Sequence, residues 1–196
     1  MILVLLDTNA YLRLAKRISP MLGIPFGMKN YTLTVLKDVE DEVYRSPNLR
    51  FKFPWFDRQE IKEERLAKQV RLSADEKIKL AAATSVLRGH ITSDVQTYLV
   101  NGRSPPSQTD CYVLAFGLLR PAIVVTDDLG MHHLAKEFSI NIWHGYELLA
   151  KMRAAKMIDT DLLKEIFEAV ERNGDMPAKW KEAKHTTFSK IFGKLS

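Results

Sequence analysis

The sequence predicts an α/β fold: a small parallel sheet sandwiched by helices in a Rossmann-type three-layer arrangement, with a helical insertion and a helical C-terminal extension. Three observations predict it. Two short apolar runs, ILVLL at residues 2–6 and AIVVT at 122–126, lack polar alternation and so have the pattern of strands buried on both faces. Longer stretches with helical spacing and capping residues separate the strands, and strands alternating with helices argue for a parallel sheet covered on both sides. The 196-residue length, with 46% apolar and 27% charged residues, suits one ordinary domain carrying added helices.

In chain order, ILVLL ends at Asp7, and Thr8 or Asn9 can cap a helix over 10–17. Pro20, Gly23, Pro25 and Gly27 mark a loop. Residues 31–34 form a second strand and 35–44 a helix whose Val35, Leu36, Val39 and Val43 share one face. No convincing strand falls in 45–107. Helices are expected there over 57–71, 74–88 and 90–100, closed by Asn101-Gly102 and Ser104-Pro105-Pro106. A helix over 109–119 leads into the strand at 122–126. A short helix over 131–138, a strand at 140–143 and a helix over 146–156 follow. Asp159 or Thr160 caps a last clear helix that ends at Asn173-Gly174. The expected organisation is a domain over 1–150 with an insertion at about 45–107, then an extension over 151–196.

Composition narrows the function classes. A single cysteine, Cys111, forms no intramolecular disulfide, so a secreted oxidised framework is not indicated. The first apolar run stops at Asp7, too short for a membrane span or signal peptide, and a cytoplasmic protein is expected. Twenty-nine Lys and Arg against 24 Asp and Glu give a formal charge of +5, compatible with a polyanionic partner. Much of that excess falls in residues 176–196, which hold five lysines and one acid. No GxxxxGK[ST] or GxGxxG loop is present, which disfavours P-loop and dinucleotide-dependent enzymes.

Ligands of open parallel sheets bind beyond the carboxyl ends of the strands. Asp7 directly follows the first strand, and Asp127 and Asp128 follow AIVVT. Asp38, Glu40 and Glu42 lie early in the helix after the second strand, and Asp110 starts the helix leading into AIVVT. Singly, each has an ordinary explanation as a helix cap, a turn residue or part of a solvated acidic face. Together they are four segments delivering carboxylates to one sheet edge. Clustered carboxylates repel unless a cation lies between them, and an all-oxygen donor set suits Mg²⁺ or Mn²⁺.

These pieces resemble the PIN-domain nucleases. The resemblance runs from Met1 to about Leu149 through LVLLDTNAYL, TVLKDVEDEV, SQTDCYVLAFGLL, IVVTDDLGMHHLA and INIW. It implies Asp7, Asp110 and Asp128 as three of the family's acids. The second of its four acids falls on Glu42 or Asp38, four apart on one side of a helix, with Glu42 nearer the apolar stripe and Glu40 third. Asn9 and Thr126 match the polar residues supporting the acids, and Asp127 is an extra carboxylate. The resemblance further implies Mg²⁺- or Mn²⁺-dependent hydrolysis of phosphodiester bonds, usually in RNA. It suggests either a VapC-like toxin with an antitoxin partner or a free-standing PIN ribonuclease, with homodimers common among relatives. The interval from Glu42 to Asp110 is longer than in compact toxin-type members.

Other features have two readings. Arg58, Lys62, Arg65, Lys68 and Arg71 recur along one side of a helix, where they could track phosphates. Interleaved Glu60, Glu63 and Glu64 instead suggest a salt-bridged solvated helix. Lys179, Lys181 and Lys184, near Trp180, Phe188 and Phe192, could grip single-stranded nucleic acid, or those aromatics could pack on the domain. His132 and His133 lack a zinc spacing.

Overall fold

The computed structural model describes residues 1–194, with Asn101 described by its backbone alone; residues 195 and 196 of the expected extension lie outside it. The elements are β1 (Ile2–Leu6), α1 (Thr8–Leu14), β2 (Pro25–Phe26), β3 (Tyr31–Thr34), α2 (Lys37–Arg45), α3 (Pro47–Lys52), α4 (Gln59–Lys68), α5 (Ala74–Ser93), α6 (Val95–Tyr98), α7 (Gln108–Leu119), β4 (Ala122–Val125), α8 (Leu129–Glu137), β5 (Ile142–Trp143), α9 (Gly145–Ala154), α10 (Thr160–Arg172), α11 (Ala178–His185) and α12 (Ser189–Phe192). The sheet order is β2-β3-β1-β4-β5, with β3, β1, β4 and β5 parallel and β2 antiparallel at the edge. This is a three-layer α/β fold.

β1 lies at the centre because both its faces are apolar. Val4 and Leu6 join a core with residues of α1, α9 and α10, while Leu5 joins a second core with residues of α5, α7 and α8. The switch follows from the two-residue period of a strand. Parallel pairing of β3, β1 and β4 puts their carboxyl ends, and the residues after them, at one edge. No helix among the described residues is long and apolar enough to cross a membrane.

Several expectations are corrected. The expected loop at 20–27 contains β2, a strand too short for periodicity to reveal. Pro25 is tolerated in it because it is an edge strand. Asp7, rather than Thr8 or Asn9, caps α1, its Oδ1 accepting from the Ala10 N–H at 2.5 Å. The expected break near Gly89 is absent: α5 runs unbroken from a Ser73/Glu76 capping box to Asp94. Leu80, Thr84, Leu87 and Ile91 form its buried stripe, and nothing lies within 4 Å of the side of Gly89 where a Cβ would sit.

The C-terminal helices share the first core with β1. Leu163, Ile166, Phe167 and Val170 of α10 are buried in it, as are Trp180 of α11 and Phe188. Trp180 approaches the start of α9 so closely that a Cβ at Gly145 would lie 2.7 Å from its ring.

Candidate functional site

The carboxyl edge of β1 and β4 carries Asp7 and Asp128, and helix ends set the orientation of both. Asp7 caps α1, and Asp128 caps α8 with its Oδ1 2.9 Å from the Met131 N–H. Asp110 is the third residue of α7, where its Oδ2 accepts from the Ser107 N–H at 2.7 Å while Ser107 Oγ accepts from the Asp110 N–H at 3.1 Å. Each of the three thus has an ordinary capping role, and only one oxygen of each is used in it. Glu42 comes from α2 and accepts from the Thr8 hydroxyl, so the residue after Asp7 ties α2 to the end of β1.

These four acids are electrostatically linked. Burial pushes Asp7 up to about 7; the charges of Asp110 and Asp127 add to this, and bonds from Thr126 and the Ala10 N–H offset part of it. Burial also raises Glu42, with Asp110 adding to the effect. Asp110 is raised by burial and by Asp128, against the lowering from Ser107. No basic side chain pairs with Asp7, Glu42, Asp110 or Asp128 among the described residues.

The donors are all oxygens of negative charge, which fits a hard divalent cation. Among the described residues, however, no three His, Cys, Asp or Glu side chains are spaced to hold a metal ion.

Asp127, one residue from Asp128, is in a different environment. Arg13 Nη1 lies 3.0 Å from it, the Gly145 N–H donates at 3.1 Å, and Trp180 Nε1 donates at 2.9 Å. His144 Nδ1 is 3.5 Å away. Although burial acts to raise it, these partners together hold Asp127 below the usual carboxylate range. Asp127 therefore ties α1, α9 and α11 together.

Thr126 is buried, and its Oγ1 accepts from the Asp128 N–H at 3.1 Å. Asn9 is exposed, and Asp38 is half-buried on the flank of α2 facing α5 and α7. Glu40 is used elsewhere, accepting from Arg65 Nε at 3.2 Å and from Gln69 at 2.6 Å. Of the acids on α2, Glu42 is the one linked to the Asp7 segment.

One expected nucleic-acid contact, Arg65, is corrected, and of the two readings of the tail aromatics the packing one holds. Arg65 is 1% exposed, stacked 3.7 Å from the Phe56 ring centre and paired with Glu40, so it is a buried strut rather than part of an exposed row. It is drawn in because α4 packs through Ile61 and Arg65, one turn apart; Arg58 and Lys62 stay exposed. Trp180 and Phe188 are core residues and Phe192 packs on Phe167, which removes these aromatics from any stacking surface. Lys181 is exposed, while Lys179 pairs with Glu182 and Lys184 with Glu171.

His132 bonds the Thr126 carbonyl at 2.9 Å and stacks on His144 with ring centres 3.8 Å apart. Cys111 is buried, which pushes its thiol up to about 11 and away from nucleophilic use. Sequence reasoning missed Thr8, Arg13, His144 and Trp180. Only Ser107 carried a local signal, three residues before Asp110 in capping-box spacing.

Two clefts lie by the acid-bearing segments. One, of about 300 Å³, lies between Asp128, Gly130, Tyr98, Arg103 and Lys179. The other, of about 310 Å³, lies between Asp38, Arg45, Arg88, Gln108 and Tyr112.

No family model matches the chain, and no curated protein matches it. Among solved structures, the chain is similar to the crystal structure of FitAcB from Neisseria gonorrhoeae. The similarity has 14% identity and a TM-score of 0.45, and it covers 73% of this chain and 98% of that one. At that level the likeness carries no functional argument.

Proposed function

We propose that this chain is a PIN-type nuclease that hydrolyses phosphodiester bonds in RNA with Mg²⁺ or Mn²⁺. The observation that supports the reading is that the charge of Asp110 acts on Asp7 and Glu42 and that of Asp128 on Asp110, four acids from separate segments by the carboxyl edge of a parallel sheet with no ion-pair partner among the described residues. Negative charge gathered at such an edge calls for a cation.

In this reading the four acids hold the metal, directly or through water. When bound, the metal supplies Lewis acidity and an activated water for in-line attack at phosphorus. The chain's own contribution is orientation. The Ala10 and Met131 N–H groups fix Asp7 and Asp128, Ser107 fixes Asp110, and Thr8 fixes Glu42. Thr126, the residue after β4, accepts from the Asp128 backbone N–H, and its side chain bonds to Asp7 and favours the charged form of that acid.

Asp110→Asn is the test. Wild-type protein is expected to cut a mixed RNA panel only with Mg²⁺ or Mn²⁺, and Asp110→Asn to lose cleavage and metal binding while keeping its fold. Cleavage by Asp110→Asn at the wild-type rate would refute the assignment.

The alternative reading is a PIN-like RNA- or protein-binding module with little activity. The absence of a ready three-ligand cage among the described residues favours it. It predicts neither cleavage nor metal binding by either protein. An antitoxin, a homodimer and a cytoplasmic location belong to the PIN reading as proposals.

A further inference from the structure

We infer that a cleft between α1, residues 52–55 and the chain after α10 is a binding site for a nucleoside monophosphate, separate from the acids. None of Asp7, Glu42, Asp110 and Asp128 lines it, and it does not depend on the nuclease reading.

The cleft, of about 300 Å³, lies where three distant parts of the chain meet. Arg13, Lys16 and Arg17 come from α1 and the turn after it, and Lys52, Phe53 and Trp55 from the start of the 45–107 insertion. Val170 and Asp175 come from α10 and the segment that follows it, within the 151–196 extension. Both segments expected as additions to the domain are therefore needed to form it. Four of the lining residues are cations and one, Asp175, is an acid.

These cations are poorly compensated. The Arg17 side chain is only 20% exposed, yet its guanidinium makes no hydrogen bond among the described residues, and Glu165 lies 3.5 Å from its Nε. Lys16 is exposed and has no ion-pair partner among the described residues. Arg13 spends Nη1 on Asp127 at 3.0 Å, but its Nε is 3.9 Å from Asp175, and Lys52 Nζ is 3.7 Å from the same acid. A charge-assisted N–H···O bond closes to about 2.7–2.9 Å, so the Asp175 carboxyl bonds neither. Arg13 Nε, Arg17 Nε and Asp175 Oδ1 make up half of the buried side-chain polar atoms that lack a hydrogen-bond partner among the described residues. Folded proteins leave few such atoms, because each costs the free energy of an unmade bond. Three of them on the residues of one cleft mark a missing partner.

The chemistry of that partner follows from the groups left over. Guanidinium and ammonium groups only donate, and a phosphate supplies the anionic oxygens they need. The unspent Asp175 oxygen only accepts, and a ribose hydroxyl supplies the donor. Phe53, Trp55 and Val170 give the cleft an apolar wall, which suits a flat heterocycle and is of no use to a bare phosphate. The volume is at the lower end of the roughly 300–1,000 Å³ that hold small organic ligands, which suits one nucleotide rather than a chain of them. A nucleoside monophosphate carries phosphate, hydroxyls and heterocycle together.

The test is calorimetric titration of the full-length protein in EDTA, with AMP and UMP as probes beside adenosine, ribose 5-phosphate and inorganic phosphate. The two nucleotides are expected to bind, and each of the three fragments to bind at least tenfold more weakly. Arg17→Gln is expected to weaken nucleotide binding by about tenfold or more, the loss of a hydrogen-bonded charge. Lys16→Gln should weaken it several-fold, and because Lys16 makes no ion pair this variant reads binding even if Arg17→Gln unfolds. Lys77→Gln, exposed on α5 and outside the cleft, should bind as wild type does. Saturating AMP should also raise the unfolding temperature of wild type, since the ligand holds three distant segments together. The inference is overturned if neither nucleotide binds, if inorganic phosphate binds as tightly as AMP, or if Lys16→Gln binds as tightly as wild type.

Discussion

Asp127 and Asp128 are adjacent in the chain and opposite in circumstance. Asp127 is enclosed by Arg13, His144, the Gly145 N–H and Trp180, and its charge is compensated in full view of the hydrogen-bond geometry. Asp128 and the acids near it have helix N–H groups and hydroxyls but, among the described residues, no ion-pair partner, the charge of Arg45 acting on Glu42 only from a distance. Asp7 and Asp127 are both buried, yet Asp7 is pushed up to about 7 and Asp127 is held low. Burial alone therefore does not decide which carboxylate is structural. Compensation does: a carboxylate whose charge the fold neutralises is part of the scaffold, and one left uncompensated is available to a ligand.

Breaking that contrast should have its largest effect at Asp127. Asp127→Asn leaves Arg13 without its closest countercharge and weakens the junction of α1, α9 and α11. The expected loss is about 3 kcal/mol or more, seen as a lower midpoint in urea unfolding. Asp128→Asn keeps a good helix cap and should change stability by no more than about 0.5 kcal/mol, while abolishing cleavage. Equal stability losses in the two variants would erase the distinction.

The pH dependence of stability sharpens it further. Asp7 binds its proton more tightly folded than unfolded, so its contribution is fully present below about 3.8 and is lost as pH rises toward about 7. The shift corresponds to about 4 kcal/mol at most. In EDTA, wild-type stability should fall over that interval relative to Asp7→Asn, which keeps the cap without the charge, and Mg²⁺ should restore it at neutral pH. Parallel curves for the two proteins would show that Asp7 carries no such charge burden.

A smaller effect is expected from Trp180→Phe. The ring remains in the core with Phe167, but the Nε1–H bond to Asp127 is lost. A hydrogen bond to a charged group contributes about 1.5–3 kcal/mol, so thermal stability should drop by that order with the fold retained. An unchanged melting temperature would show that Arg13 and Gly145 alone hold Asp127.

Much of the fold was legible because it rests on local pattern. Two-faced apolar runs gave β1 and β4, and Asn173-Gly174 gave the end of α10. The two-residue β2 was not legible, because periodicity needs more residues than that to show. Arg65 was misplaced for a related reason. Its spacing on α4 matched the exposed basic residues, and only packing against Phe56, Tyr11 and Glu40 turned that position inward. The tail behaved likewise: its lysines stay outside while Trp180 and Phe188 fill the core.

By itself the sequence determined the strand–helix alternation, the edge at which Asp7 and Asp128 emerge, and the helices carrying Asp110 and the α2 acids, since each follows from hydrophobic period and caps within a few residues. Tertiary structure decided which acid does what. Thr8 bonds Glu42 from 34 positions away and Trp180 bonds Asp127 from 53 away. Partners so distant leave no local signature, and the charge state of a buried carboxylate depends on what the fold places beside it.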